Sequence, residues 1–211
     1  MKNSLIGRLL TMLLVLSMLM SITSVVFAST NDQKSEEARI LELFEKHDAR
    51  EISARSLPQG IEPIVINTLE DLETFIAERE NRAHTIEFFD DRLPESRNAR
   101  VTGTTGIERD IGGPTLRLNT TYEYLVSVHG IQGLRAIQNW WSLTGFTLSH
   151  SLSSSWAQGS VSNGVLRVQG TASVNTYLLF SGAIRIITDR YDGSFDFRPM
   201  HGVSNARLVR I

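Results

Sequence analysis

The chain of 211 residues carries 21 basic and 23 acidic side chains, a formal net charge of −2, and it contains no cysteine. Because there is no basic excess to follow a phosphate backbone, we expect no nucleic-acid partner. A basic membrane-surface segment is not evident in the sequence either. Without cysteine there are no disulfides and no thiol nucleophile, so a folded domain must be held by its core.

Residues 1–28 have the composition of a secretory signal peptide. Lys2 and Arg8 give a positively charged start, and an apolar stretch follows. Val26 and Ala28 then place small residues at the two positions that a signal peptidase recognises. We therefore predict cleavage before Ser29 and a secreted, extracellular protein, of a kind typical of bacteria. The alternative is an uncleaved N-terminal membrane anchor, since about 18 apolar residues can just span a bilayer. No later segment is apolar enough to span.

Two helices are predicted next. Apolar residues recur at helical spacing within residues 35–51, so residues 29–60 are interpreted as an N-terminal helical segment with a linker. Residues 61–211 are predicted to form a single α+β domain. Thr68 and Asp71 have the spacing of a capping box, which predicts the start of a second helix. Short strands are expected on either side of this helix, at residues 63–67 and 85–89.

The C-terminal half has the two-residue alternation of β-strands, most clearly in residues 115–129, 146–152 and 161–199. Asn163-Gly164 and Asp192-Gly193 are dipeptides that favour tight hairpin turns. Residues 90–113 are predicted to form a long loop or an irregular strand pair. Residues 134–143 are predicted to form a short helix or a bulged strand. The predicted fold is α+β, with N-terminal helices flanking a mainly antiparallel sheet that forms a sandwich or partial barrel.

Familiar catalytic and cofactor motifs are not found. The histidines lack metal-binding spacing, the serines lack a nucleophile elbow, and the glycines form no phosphate-binding loop. His150 lies on the apolar side of its strand, so we predict a buried, uncharged core histidine that is not catalytic. We expect no cofactor and, in balance, no enzymatic activity.

The tryptophans are the candidate binding residues. Trp140, Trp141 and Trp156 are close in sequence, and flat aromatic rings on a β-scaffold can stack against sugar rings or partner side chains. Because Trp140 and Trp141 are adjacent, an extended backbone must point them to opposite faces. We predict that one of the two is exposed beside a groove and that the other is in the core.

A calcium site is the weaker alternative for a metal. Asp189, Asp192 and Asp196 surround the predicted Asp192-Gly193 turn, and calcium binds several oxygen ligands at short range. The sequence does not match a known calcium-binding loop, and turn formation alone accounts for Asp192.

The sequence thus favours a secreted, non-enzymatic module that binds a cell-envelope polymer or a protein partner. One alternative is a cell-wall or polysaccharide hydrolase whose carboxylates come from distant parts of the chain. Another is a secreted inhibitor or immunity-type protein that occupies an enzyme's cleft. A cleft with two carboxylates, one of them with a raised pKa, would favour the hydrolase. An exposed aromatic platform without such a pair would favour binding.

Overall fold

The computed structural model describes residues 35–82, 85–92 and 100–211. The chain is divided into two compact units between Lys46 and His47. The described part of the smaller unit is helix α1, residues 35–46, which agrees with the helical spacing of its apolar residues. The predicted signal peptide, residues 1–28, lies outside the described residues.

The larger unit contains helix α2 and a succession of β-strands, so the predicted α+β class, with helices N-terminal to mainly antiparallel sheets, is confirmed. Helix α2 spans Leu69–Asn81, and a 3-10 turn spans Ala54–Ser56. The strands are β1 (Arg50–Ile52), β2 (Ile64–Val65), β3 (Glu87–Arg92), β4 (Arg100–Asp110), β5 (Pro114–Ser127), β6 (Gly130–Gly145), β7 (His150–Ser162), β8 (Val165–Phe180), β9 (Ala183–Arg198) and β10 (Gly202–Arg210).

The strands form two sheets. The four-stranded sheet has the order β3-β4-β5-β6, and all its pairs are antiparallel. In the six-stranded sheet β8 and β9 are central. Strands β7 and β2 pair with β8, and β1 and β10 pair with β9, with β2 the one parallel strand of this sheet. The connection from β6 to β7 carries the chain from one sheet to the other.

The core lies between the two sheets. Alternate residues of each strand point into it, as the period of two requires. Tyr122 of β5 and Phe197 of β9 face each other across the interface, with ring centroids 4.3 Å apart. The other buried side chains come from β4, β5, β6, β8, β9 and β10, among them Val101, Ile107, Leu116, Leu118, Trp141, Leu166, Val168, Val174, Phe195 and Leu208.

Helix α2 begins with the predicted capping box. The Asp71 amide donates to the Thr68 hydroxyl at 3.1 Å, and the Thr68 amide donates to the Asp71 carboxylate at 3.0 Å. Both bonds satisfy amides that the first helical turn leaves without partners. Leu72 and Ile76 form its buried stripe. The helix ends near Arg79, whose side chain reaches strand β9.

The hairpin predictions fare differently. Asn163-Gly164 joins β7 to β8 with φ angles of 52° and 71°, the left-handed geometry expected of the dipeptide. The prediction of a turn at Asp192-Gly193 is wrong, because both residues lie inside β9. Gly193 is required by packing: a Cβ there would lie 2.7 Å from the indole ring of Trp141.

In two further segments the structure matches one of the two predicted alternatives, and in a third it differs from the prediction. Residues 134–143 are strand, within β6, and register shifts against β5 give it the bulged character that was one of the two predictions. Residues 90–113 contain the strand pair β3 and β4 with a tight β4–β5 turn. Residues 146–149 form a connection and not the predicted strand, because Phe146 and Leu148 point into solvent instead of sharing a buried face.

Candidate functional site

The three tryptophans occupy three different environments. Trp140 and Trp141 are adjacent in β6 and point to opposite sides, as extended backbone requires. Trp141 points into the core and is buried, while Trp140 lies half-buried on the outer side of the four-stranded sheet. Trp156 projects from β7 on the outer side of the other sheet and is 51% exposed. The structure therefore does not bring the three rings into one patch.

The indole of Trp141 packs against two glycines and makes one hydrogen bond. Gly170 and Gly193 are cross-strand partners in β8 and β9, and a Cβ on either would overlap the Trp141 side chain. The indole N–H donates to the Trp156 carbonyl at 3.0 Å. This bond satisfies the buried indole donor. Trp141 is thus a core residue, and the binding prediction rests on Trp140 and Trp156.

Trp156 stands on a broad polar surface, which we call the outer face. It consists of the outward-pointing residues of β7, β8 and β9, which alternate with the buried ones. Cross-strand pairing places Thr171 and Asp192 in the same row as Trp156. The remaining members are Ser151, Ser154, Gln158, Ser160, Arg167, Gln169, Ser173, Asn175, Thr188, Arg190, Ser194 and Asp196. Trp156 is the single aromatic residue among them.

The polar groups nearest to Trp156 are available to a ligand. The side chains of Gln158, Gln169 and Thr171 make no hydrogen bond to any residue that the structure describes, and neither does Asp192. Amide, hydroxyl and carboxylate groups together offer donors and acceptors in adjoining rows. An aromatic ring surrounded by unengaged neutral polar groups is suited to a flat ligand that has both apolar and hydroxyl surfaces.

Trp140 lies in a different setting. Its cross-strand row on the four-stranded sheet runs through Asn119 and Gly106 to Phe89. The Phe89 ring lies against Gly106, where a Cβ would come within 2.7 Å of it. The Asn119 amide nitrogen is engaged with the Ser142 hydroxyl at 3.0 Å and the Trp140 carbonyl at 3.2 Å. This surface is packed and its amide is already used, so Trp140 is the weaker binding candidate.

The three aspartates of the calcium alternative do not form a site. They lie along β9 and not on one loop. Asp189 is paired with Arg79 and Asp196 with Arg167, while Asp192 points outward beside Thr171. In residues 35–82, 85–92 and 100–211 no three His, Asp or Glu side chains are grouped as a metal site. The calcium alternative assumed a loop at Asp192, whereas this residue lies within strand β9.

His150 is buried, as predicted, but it is not packed against Phe146 and Leu148, the apolar residues that alternate with it in the sequence. It lies near Phe75 and Arg79 of α2, while Phe146 and Leu148 are exposed. Its Nδ1 is 3.0 Å from the Ser149 hydroxyl. Burial lowers the pKa of His150 to about 4, since removing an imidazolium from water disfavours the charged form. The ring is therefore neutral at pH 7.

Beside His150 is a buried charged cluster that sequence reasoning missed. The Arg79 guanidinium donates to Asp189 at 2.8 Å, and Arg210 approaches the same carboxylate at 3.7 Å. Arg109 donates to the Leu208 carbonyl at 3.1 Å, and burial lowers its pKa. Burial also raises the pKa of Tyr191 to about 12. Arg79 and Asp189 are 110 positions apart, so no local pattern could have linked them.

The carboxylates of the described residues give no support to the hydrolase alternative. An open cleft of about 450 Å³ contains Glu87, Glu108 and Asp110. Glu108 is ion-paired with Arg117, and Asp110 with Arg82. Backbone amide hydrogen bonds lower the pKa of Asp110, whereas a general acid needs a raised value. The pKa values of Asp71 and Asp196 are also lowered, by backbone amides and by Arg167 respectively.

Comparisons of the chain with protein-family models, with curated proteins and with solved structures found no match. In the part of the chain that the structure describes, neither helix has the length and apolar character needed to cross a bilayer.

Proposed function

We propose that the protein is an exported, non-enzymatic module that binds a carbohydrate polymer of the cell envelope through the outer face. The observation that carries this proposal is the position of Trp156, half exposed in a row with Thr171 and Asp192 and beside the unengaged side chains of Gln158 and Gln169.

The chemistry of a sugar ring matches this surface. A pyranose presents C–H groups on its faces, which pack against an indole, and hydroxyl groups at its rim, which hydrogen-bond to amides, hydroxyls and carboxylates. The antiparallel strands of β7, β8 and β9 extend these groups over several rows, as a polymer requires. A protein partner fits less well, because protein interfaces are anchored by clusters of apolar and aromatic residues and the outer face has one such residue.

The test is a pull-down with insoluble polysaccharides. Purified peptidoglycan sacculi, chitin and cellulose serve as probes. We expect retention on at least one, and we expect Trp156→Ala to weaken binding about tenfold or more, as for an aromatic hot spot. The matched control is Trp140→Ala, which removes the half-buried indole on the opposite sheet and should leave retention unchanged.

Two results would contradict the proposal. One is the absence of retention on all three probes by the folded protein. The other is equal retention by the wild type and Trp156→Ala, since it would show that the indole does not contact the polymer. Loss of binding in the Trp140 variant alone would move the site to the four-stranded sheet.

The export part of the proposal rests on residues 1–28 and has its own test. The positively charged start, apolar stretch and Ala28 exit are the support for it. We expect protein recovered from the culture medium of a bacterial host to begin at Ser29. N-terminal sequencing that finds Met1 retained would show that the segment is not removed, as in the alternative of a membrane anchor.

A further inference from the structure

Three hairpin turns lie together at one end of the two sheets, which we call the turn end. They are residues 128–129 between β5 and β6, Asn163-Gly164 between β7 and β8, and residues 199–201 between β9 and β10. An open depression of about 420 Å³ lies between them and is lined by Ile131, Leu134, Val161, Gly164, Pro199 and His201. The turns are therefore neighbours in space although they are far apart in sequence.

The tips of these turns carry apolar side chains in solvent. Val128 is 86% exposed and Met200 is 59% exposed, at the tips of two different hairpins. Ile131 and Val161, which line the depression between them, are also exposed. Because these side chains are grouped around one depression, they differ from the singly scattered exposed apolar residues that need no explanation, and such a group marks a contact surface.

Arginines surround these tips and their carboxylate partners lie beneath them. Arg100 is 64% exposed while its partner Glu123 is 12% exposed. Arg167 is 66% exposed while its partner Asp196 is 10% exposed. Arg198 is also exposed and lines the depression. The surface offered to a partner is therefore cationic, although the whole chain has no basic excess.

We propose that the turn end is a contact surface for a lipid bilayer with anionic headgroups. Val128 and Met200 enter the boundary between headgroups and acyl chains, and the arginines remain at the level of the phosphates. Arg198 is two residues from Met200, and Arg100 pairs with Leu125, three residues from Val128. Each of these arginines is therefore close in the chain or in the sheet to one of the two apolar tips, the arrangement expected when apolar side chains enter the interface and cations stay among the headgroups.

Arg167 and Asp196 border both surfaces, but Val128 and Met200 are not part of the outer face, and Trp156 is not part of the turn end, so the two proposals are tested by different variants. It is tested by sedimentation with vesicles of phosphatidylcholine alone or mixed with phosphatidylglycerol. We expect binding to the anionic vesicles, weakened by added salt because exposed charges are screened. The double variant Val128→Asp, Met200→Asp should bind anionic vesicles at least about tenfold more weakly than the wild type.

The matched control uses exposed apolar residues elsewhere. Phe146 and Leu148 lie in the β6–β7 connection and are also exposed, so Phe146→Asp, Leu148→Asp carries the same chemical change. It should bind vesicles as the wild type does. Thermal unfolding followed by circular dichroism confirms that both double variants fold.

A site-specific probe gives a second readout. Because the chain contains no cysteine, Val128→Cys can be labelled uniquely with an environment-sensitive fluorophore. We expect a blue shift with anionic vesicles at this position and none for Leu148→Cys. The proposal is overturned if the protein does not bind anionic vesicles, if it binds both vesicle types equally, or if the two double variants lose binding to the same extent.

Discussion

The inner and outer sides of the six-stranded sheet are formed by alternate residues of the same strands, yet they differ sharply in burial and packing. On the inner side Trp141 lies against Gly170 and Gly193, and its N–H is bonded. On the outer side Trp156 is half exposed among side chains that have no partners in the described chain. The same residue type thus serves the stability of the fold on one side and is free for a ligand on the other.

The largest expected effect is on the inner side. Trp141→Ala removes a buried indole and leaves a cavity above two glycines that cannot fill it, so we expect a loss of about 3–5 kcal/mol in the free energy of unfolding. The variant also removes the indole donor to the Trp156 carbonyl. Urea unfolding followed by circular dichroism measures the difference.

Trp156→Ala is the matched variant on the outer side. It keeps the backbone carbonyl that Trp141 uses, so we expect a stability loss below about 1 kcal/mol. Similar stability losses in the two variants would contradict this difference between the inner and outer sides. A stability loss in Trp141→Ala together with a loss of polysaccharide binding in Trp156→Ala would support it.

Local patterns predicted much of this fold. The capping box at Thr68, the alternation of β5 and β8 and the left-handed turn at Asn163-Gly164 each depend on residues a few positions apart. The alternation in β8 also separates the polar residues of the outer face from the buried ones. The opposite orientations of Trp140 and Trp141 followed from extended backbone alone.

The errors arose where a residue serves a distant part of the chain. The Asp-Gly dipeptide predicts a turn at Gly193, whereas the structure needs glycine there to admit the ring of Trp141 from the other sheet. The sequence groups Asp189 with its neighbouring aspartates, whereas its partner Arg79 is on helix α2. The cationic surface of the turn end likewise appears only after separate hairpins bring their arginines together.

A smaller, pH-dependent effect separates the buried His150 from an exposed histidine. The pKa of His150 is about 4 in the folded protein and near 6.5 in an unfolded chain. Between these pH values the imidazole binds a proton in the unfolded chain but not in the folded protein. The contribution of the neutral His150 to the free energy of unfolding is therefore complete above pH 6.5 and is lost as the pH falls toward 4. We expect a loss of about 2–3 kcal/mol between pH 7 and 4.5 from this group.

His150→Gln should remove that slope, since the amide does not titrate, whereas His201→Gln, at an exposed turn position, should keep it. The carboxylates with lowered pKa values, Asp71, Asp110 and Asp196, contribute in a separate window, because their stabilisation is lost only as the pH falls below the ordinary aspartate value of 3.8. Urea unfolding at pH 7, 5.5 and 4.5 therefore isolates the imidazole. An equal slope in the wild type and His150→Gln would mean that the ring is accessible to protons in the folded protein, and the inner side would then be less closed than its packing indicates.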